Sequence, residues 1–413
     1  MKLTLYAGVS AAALVCGVAA AQVPTDDPDT IIVKGQKREV SIDQVTSSVD
    51  VITGAEIARE PLINLFEITD RIPNVNTAFG GQGFVVRGID QRGAGGSTLT
   101  VTVFVDDSPL TNATTTFGPL DSWDLGQVEV YRGPQSTNFG RNSIAGAIYM
   151  RTQDPTYETD VKARVEVGEN GIFQGSAAIG GGIIADKLAF RASFSHRESD
   201  GFIKNTFLNE DADAMEMTSG RLKFLFEPTD DISVISTSYY AESSGGEDFI
   251  TLQSADGVTP LPLADASDIS RTVEYNIPGS EGSETFIQSI NASWDLTEQL
   301  TLTSITTYQD SDNFRTEDFS IDQNNPDDNE AIRNDGTGSD ETFTQELRVA
   351  YEGERLSGAL GLYYLDAEAE SESDIVLTGA ILDPSLDFVI VSRDGTASSS
   401  VTNMAVFLDG EFK

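Results

Sequence analysis

The residue types that most often carry chemistry are scarce in this chain. Its 413 residues include one histidine, His196, and one cysteine, Cys16. A zinc site needs three or four His, Cys or carboxylate ligands held together, and His196 has no His or Cys partner to share a metal. No nucleophile elbow surrounds it. The acid pairs Asp106-Asp107 and Asp230-Asp231 fall in turn contexts, where Asp serves local hydrogen bonding better than acid/base work. Neither a Walker A nor a Rossmann glycine motif occurs. The sequence therefore predicts no catalytic residue, no metal site and no cofactor. His196 reads as a residue of a polar strand face or rim, near a loop.

What remains is the chemistry of recognition. Asp29-Thr30-Ile31-Ile32-Val33 is a β-branched pentapeptide in a polar, Pro-containing leader. Such a segment can add as a strand to the edge of a partner sheet, main chain to main chain, or serve as an ordinary first strand of the domain that follows. A second pattern combines arginine and glycine: Arg87-Gly88, Arg132-Gly133-Pro134, Gly140-Arg141 and Gly146. Gly133 and Pro134 force a sharp turn at a strand end. Gly140 and Gly146 permit close backbone approach or positive φ.

The arginines stand out against the charge of the chain, which carries 26 Lys+Arg and 66 Asp+Glu, a formal net charge of −40. So acidic a chain repels nucleic acid. The acids are dispersed through turns and loops. They read first as a solubilising surface, with attraction of a cationic substrate as the alternative. Residues 1–21 read as a secretory signal, with Lys2 as the positive start, an apolar stretch to Val18, and Ala19-Ala20-Ala21 before Gln22. Cys16 lies inside that signal, which leaves no disulfide or thiolate site in the mature chain. No apolar run of 18 or more residues follows, so no transmembrane helix is expected, while a β-barrel stays open.

The elements that must position the arginines and glycines lie in residues 38–155, which read as an α+β domain. Val49–Ile52 is a short strand. Thr53 is placed to cap a short helix, with Glu56 as its capping-box partner. Leu62–Ile72 has helical spacing and stops at Pro73. Short β runs follow at Phe84–Arg87, Val101–Val105, Val128–Tyr131 and Ala147–Met150.

From about residue 158 the pattern becomes period two. Leu188, Phe190, Ala192 and Phe194 share one face, and Arg191, Ser193, Ser195 and Arg197 the other. The same alternation runs through Leu222–Phe226, Phe286–Trp294 and Phe343–Tyr351. About ten segments of roughly 10 to 14 residues are joined by alternating short turns and long loops. The short turns fall near Ala185-Asp186, Pro228–Asp231, Asp295–Glu298 and Glu352–Glu354, the long loops at about 199–215, 243–282, 313–340 and 371–399. That alternation fits an outer-membrane barrel better than a soluble sandwich.

Residues 124–152 contain Val128-Glu129-Val130, Arg132-Gly133-Pro134-Gln135-Ser136, Phe139-Gly140-Arg141 and Ile144-Ala145-Gly146. This run resembles the plug signature of TonB-dependent outer-membrane receptors. Arg71–Val75 before Phe84–Ile89, and Val103–Asp107, match further plug elements, with Asp107 where the family usually has glycine. Asp29–Val33 resembles the TonB box. The resemblance implies a signal (1–21), a flexible leader with the TonB box (22–37), an α+β plug (38–155) and a partial antiparallel transmembrane β-barrel (156–413), about ten of an expected 22 strands. The chain on this view is an N-terminal fragment.

The implied function is TonB-dependent uptake of a scarce substrate, an iron–siderophore complex by family default. TonB, with its ExbB and ExbD motor, would pull on residues 29–33. Outer-membrane lipid and a small metal chelate would be the other partners. Substrate would meet plug loops near 77–83, 90–98 and 112–120. Plug arginines in the family are thought to pair with acids of the inner barrel wall. The alternative reading is a passive porin or adhesin-type barrel.

Overall fold

The computed structural model describes residues 32–33, 35, 40–45, 47–60, 62–78, 83–91, 99–118, 120–135, 142–246, 272–273, 277–318, 332–378 and 389–412. The signal, Asp29, Thr30 and Ile31, and the signature residues Gly140 and Arg141, lie outside these.

The N-terminal domain is built on four main strands: β1 (Val49–Thr53), β2 (Val101–Val105), β3 (Leu125–Arg132) and β4 (Gly146–Thr152). Their order is β1-β3-β4-β2, with Ser108–Pro109 at the β2 edge. Only β4 and β2 run parallel. Alternation gives the sheet two buried faces. Val101, Val103, Val128, Val130, Ile148 and Met150 point to one cluster, which also takes Ile57, Leu65, Ile68 and Phe84. Phe104, Tyr131, Ala147 and Tyr149 point to the other, with Val33. Each fully buried large apolar side chain contributes about 1.5–3 kcal/mol.

Three short helices attach to this sheet: α1 (Gly54–Arg59), α2 (Leu65–Thr69) and α3 (Asn112–Phe117). The expected capping box at Thr53 is present: Thr53 accepts from the Glu56 amide, while Glu56 accepts from the Thr53 amide at 2.8 Å. The helix expected over 62–72 is shorter. Asn64, extended at φ −145°, caps it through the Glu67 amide, so Leu62 and Ile63 stay outside the helix. The segment 112–120, expected as a loop, holds α3 instead, capped by Thr111 through the Thr114 amide.

The remainder is dominated by one antiparallel sheet of ten strands in sequence order. They are β5 (Asp160–Val167), β6 (Phe173–Ile184), β7 (Leu188–Ser199), β8 (Met215–Thr229), β9 (Ile232–Gly245), β10 (Ser280–Thr297), β11 (Leu300–Asp318), β12 (Ile332–Glu352), β13 (Leu356–Thr378) and β14 (Val389–Phe412). Among the described residues, β5 and β14 are its two edges, so the barrel is not closed. No helix of the described residues is long and apolar enough to cross a membrane.

Burial in this sheet is inside out. Ser195, Ser219, Lys223, Thr285, Ser289, Thr307 and Ser311 are buried, while Phe194, Leu222, Phe224, Phe286, Ile290 and Trp294 are exposed. The polar face lies against the N-terminal domain and the apolar face points away, the arrangement of a lipid-facing barrel. The later strands are longer than the 10 to 14 residues expected: β12 has 21 and β14 has 24. They run well into the segments 313–340 and 371–399 expected as loops. Beyond the apolar belt both faces are polar, as at Ser311-Asp312, so the period-two signal vanishes while the ladder continues.

Candidate functional site

The end of the predicted TonB box is docked on the domain. Ile32–Val33 pairs antiparallel with Val40–Ser41. The Val33 side chain is fully buried against Phe104, Tyr131, Ala147 and Tyr149. Two polar contacts from β3 fix the backbone. The Gln127 amide donates to the Ile32 carbonyl at 3.1 Å. The Gly35 amide donates to a Glu129 carboxylate oxygen at 3.0 Å.

Glu129 is the hub of this arrangement. It is fully buried, on the β3 face opposite Val128 and Val130. Besides Gly35 it accepts from the Tyr131 hydroxyl at 2.6 Å and from the Gln127 amide at 2.5 Å. Three donors on one carboxylate compensate its burial. Burial and the neighbouring Glu129 push the Tyr131 phenol far above its ordinary pKa, so it stays a donor. The Val128-Glu129-Val130 pattern marks a strand but by itself assigns Glu129 no role. The available signal was a carboxylate on a strand whose both faces are buried.

The arginine and glycine signature builds a turn system inside the domain. Arg87 has φ +51° and Gly88 φ +80°, and the Arg87 amide donates to the Asn74 carbonyl at 2.8 Å. Gly133 has φ +108°, and a Cβ there would stand 3.1 Å from the Arg87 guanidinium. Pro134 follows before Gln135, whose amide returns to the Ser143 carbonyl. Gly146 is required by a close approach, because its Cβ would stand 2.4 Å from the Tyr131 carbonyl. Arg132 pairs with Asp50 at 2.5 Å and donates to the Pro73 carbonyl at 2.8 Å.

Arg132 thus finds its acid within the domain, on β1, and not on the wall. The charges across the domain–sheet interface have the opposite sense: acids on the domain, bases on the wall. Asp124, with φ +59° and a side chain fully buried, accepts from Arg191 at 2.7 and 2.5 Å. Arg221 and Lys162 stand 3.7 and 3.6 Å from it. Lys223 lies 2.9 Å from Asp154 and 3.2 Å from Asp106. Ser219 donates to Asp121 at 2.7 Å.

Further round the wall the hydrogen bonds to α3 are between neutral groups. The Phe117 carbonyl accepts from Ser243 at 2.8 Å and Ser283 at 3.0 Å. Gln309 donates to the Thr114 hydroxyl at 2.8 Å. Of the other expected substrate loops, 79–82 and 92–98 lie outside the described residues. His196 sits on the outward face shared with Phe194 rather than the polar inner face. Its Nδ1 is 3.0 Å from the Thr218 hydroxyl.

Residues 41–147 match the family model of the TonB-dependent Receptor Plug Domain, the same segment that carries the turn system and Glu129. Over these residues the chain is similar to the plug domain of TonB-dependent receptors. The vitamin B12 transporter BtuB of Vibrio vulnificus is 28% identical over 181 residues, 43% of this chain and 29% of that protein. The catecholate siderophore receptor Fiu of Escherichia coli is 25% identical over 211 residues, 46% of this chain and 26% of that protein. The chain thus aligns with less than a third of the curated relatives' length. Its fold is that of the ferric yersiniabactin uptake receptor FyuA from Yersinia pestis (TM-score 0.67, 16% identity, 88% of this chain and 61% of that one). The ferripyoverdine receptor of Pseudomonas aeruginosa gives a TM-score of 0.73 at 12% identity, over 92% of this chain and 52% of that one. The inside-out burial of the ten-stranded sheet fits a wall with one face toward lipid.

Proposed function

We propose that this receptor takes up a scarce substrate across the outer membrane under TonB control, with a metal chelate of the iron–siderophore class as the first candidate. Residues 1–21 are the cleaved signal, 22–37 the leader, 38–155 the plug and 156–413 the barrel strands on this reading. The observation that carries it is the state of Ile32–Val33: a β-prone segment at the end of a polar leader, docked by one short ladder that a partner strand can replace. TonB, coupled to the ExbB and ExbD motor, would pair with Asp29–Val33 and pull. A plugged pore cannot run on diffusion, and the outer membrane has no nucleotide supply. Force through the leader is the remaining route. The relatives named for siderophores and vitamin B12 support a chelate or corrinoid without choosing between them.

Titration of a peptide spanning residues 22–40 against the TonB C-terminal domain tests the partner, with Ile31→Pro as control. Binding abolished by proline, which removes a ladder donor, is the expected result. No binding by a soluble, intact peptide would move Asp29–Val33 to an ordinary plug strand and favour a passive barrel.

A further inference from the structure

The plug touches the wall in two chemically different ways. Along β5–β8 the contacts are ionic: Arg191 and Arg221 on buried Asp124, with the half-exposed Lys162 beside them, and buried Lys223 on Asp106 and Asp154. Separating these pairs strands charges in a low-dielectric interior. Along β9–β11 the wall meets α3 through hydroxyls, amides and one carbonyl. Ser243 and Ser283 donate to the Phe117 carbonyl, Gln309 to Thr114, and Thr114 to Ser311 at 3.2 Å. The Arg315 guanidinium stacks over the Phe117 ring at 5.9 Å. Asn291, further down β10, donates a charged hydrogen bond to Asp107 at 2.7 Å. Among the described residues no ion pair joins α3 to β9–β11.

Neutral hydroxyl contacts exchange with water at small net cost. The α3 seam also has unused capacity. The Gln309 Oε1 and Thr116 Oγ1 atoms are buried without a protein partner, in residues 1% and 9% exposed. Gln309 Nε2 bonds Thr114, so its free carbonyl lies in the seam itself. Buried acceptors of this kind are made good by water or a polar solute.

We infer that the plug parts from the wall along α3, between this helix and β9–β11, and stays clamped on β5–β8. The opened seam would be lined by Thr114, Thr116, Ser243, Ser283, Gln309 and Ser311, and would pass a polar, hydrogen-bonding solute. The inference rests on the uptake reading for its driving force, and it names the side on which the path forms.

Two conservative variants on buried, plug-facing wall positions test it: Ser311→Cys on the seam and Ser219→Cys on the clamped side. Outer membranes of cells with and without TonB are treated with a polar maleimide, and the parent chain gives the background. The expected result is a TonB-dependent rise in labelling rate of about ten-fold at Ser311→Cys with little change at Ser219→Cys. Equal rises would mean that the plug leaves as one body, and a larger rise at Ser219→Cys would reverse the assignment. No rise at either, in cells where TonB binds the receptor, would also overturn the seam and leave TonB coupling standing. A rise confined to Ser311→Cys that needs no TonB would keep the seam and reject the uptake reading. Ser283→Cys and Ser176→Cys repeat the comparison if either first variant fails to reach the membrane.

Discussion

The Glu129 carboxylate and the Gly35 amide meet at 3.0 Å across 94 residues of sequence. With the Gln127 contact to Ile32, that bond ties the leader to the central sheet. Glu129→Gln keeps the shape and removes an acceptor. Gly35 and Tyr131 share one carboxylate oxygen and Gln127 takes the other, so the amide oxygen serves one side only and no donor keeps a charged acceptor. A hydrogen bond to a charged group is worth about 1.5–3 kcal/mol. Amide exchange at Gly35 is therefore expected to quicken by about ten-fold or more, with the core of β3 unchanged. Unaltered protection at Gly35 would remove Glu129 from this role.

Asp124 offers a clean charge deletion. Its φ of +59° is a conformation that Asn also tolerates, so Asp124→Asn removes charge without backbone strain. Breaking a buried pair costs about 3–5 kcal/mol, and the lower end is expected because Arg191 keeps Asp160 at 2.9 Å. Thermal unfolding should show the loss. Pairing the change with Arg191→Met should recover part of it, as a coupled cycle requires. Additive losses would show that the two groups do not act together.

Asp121 sets a pH dependence. Burial raises its pKa above 3.8, against the lowering effects of Ser219, the Trp123 amide and Arg221. In the folded receptor it therefore holds its proton to higher pH than in the unfolded chain. Stability should fall as pH climbs from 3.8 to the raised folded value and then level off. Asp121→Asn should flatten that slope. Comparison of melting temperatures across this range, wild type against variant, checks the sign. A wild type more stable at the upper end of this range, with the difference abolished in Asp121→Asn, would contradict it.

Gly54 opens α1, where helix propensity alone favours alanine by about 1 kcal/mol. The structure predicts the opposite sign. A Cβ at Gly54 would stand 2.2 Å from the Leu125 carbonyl, on the strand that carries Gln127 and Glu129. Gly54→Ala should lower the plug melting temperature, and a rise would show that β3 yields easily.

Much of this architecture was legible from local rules. Val101–Val105 was read to the residue, the Thr53–Glu56 capping box was visible as a spacing, and the barrel faces followed from alternation at Leu188–Phe194. The upper barrel was not legible, because strands such as β12 become polar on both faces and lose their period. Helix α3 was hidden for a related reason. Asn112-Ala113-Thr114-Thr115-Thr116 has no apolar stripe, and its helix is held by the Thr111 cap and wall hydroxyls. The acid–base sense of the plug–wall interface was also beyond reach. Asp124 and Arg191 are 67 residues apart, and nothing local to either announces the other.

The central claim is that Ile32–Val33 is shared between the plug's own docking and a TonB strand. Its most direct test is the affinity of the TonB C-terminal domain for three ligands: the peptide 22–40, the intact chain, and the Glu129→Gln chain. Docking withholds the binding-competent state, so apparent affinity falls by the fraction released. The peptide should bind most tightly, the intact chain about ten-fold or more weakly, and the Glu129→Gln chain should move toward the peptide. Equal affinities for all three, or no binding by the peptide, would contradict the account.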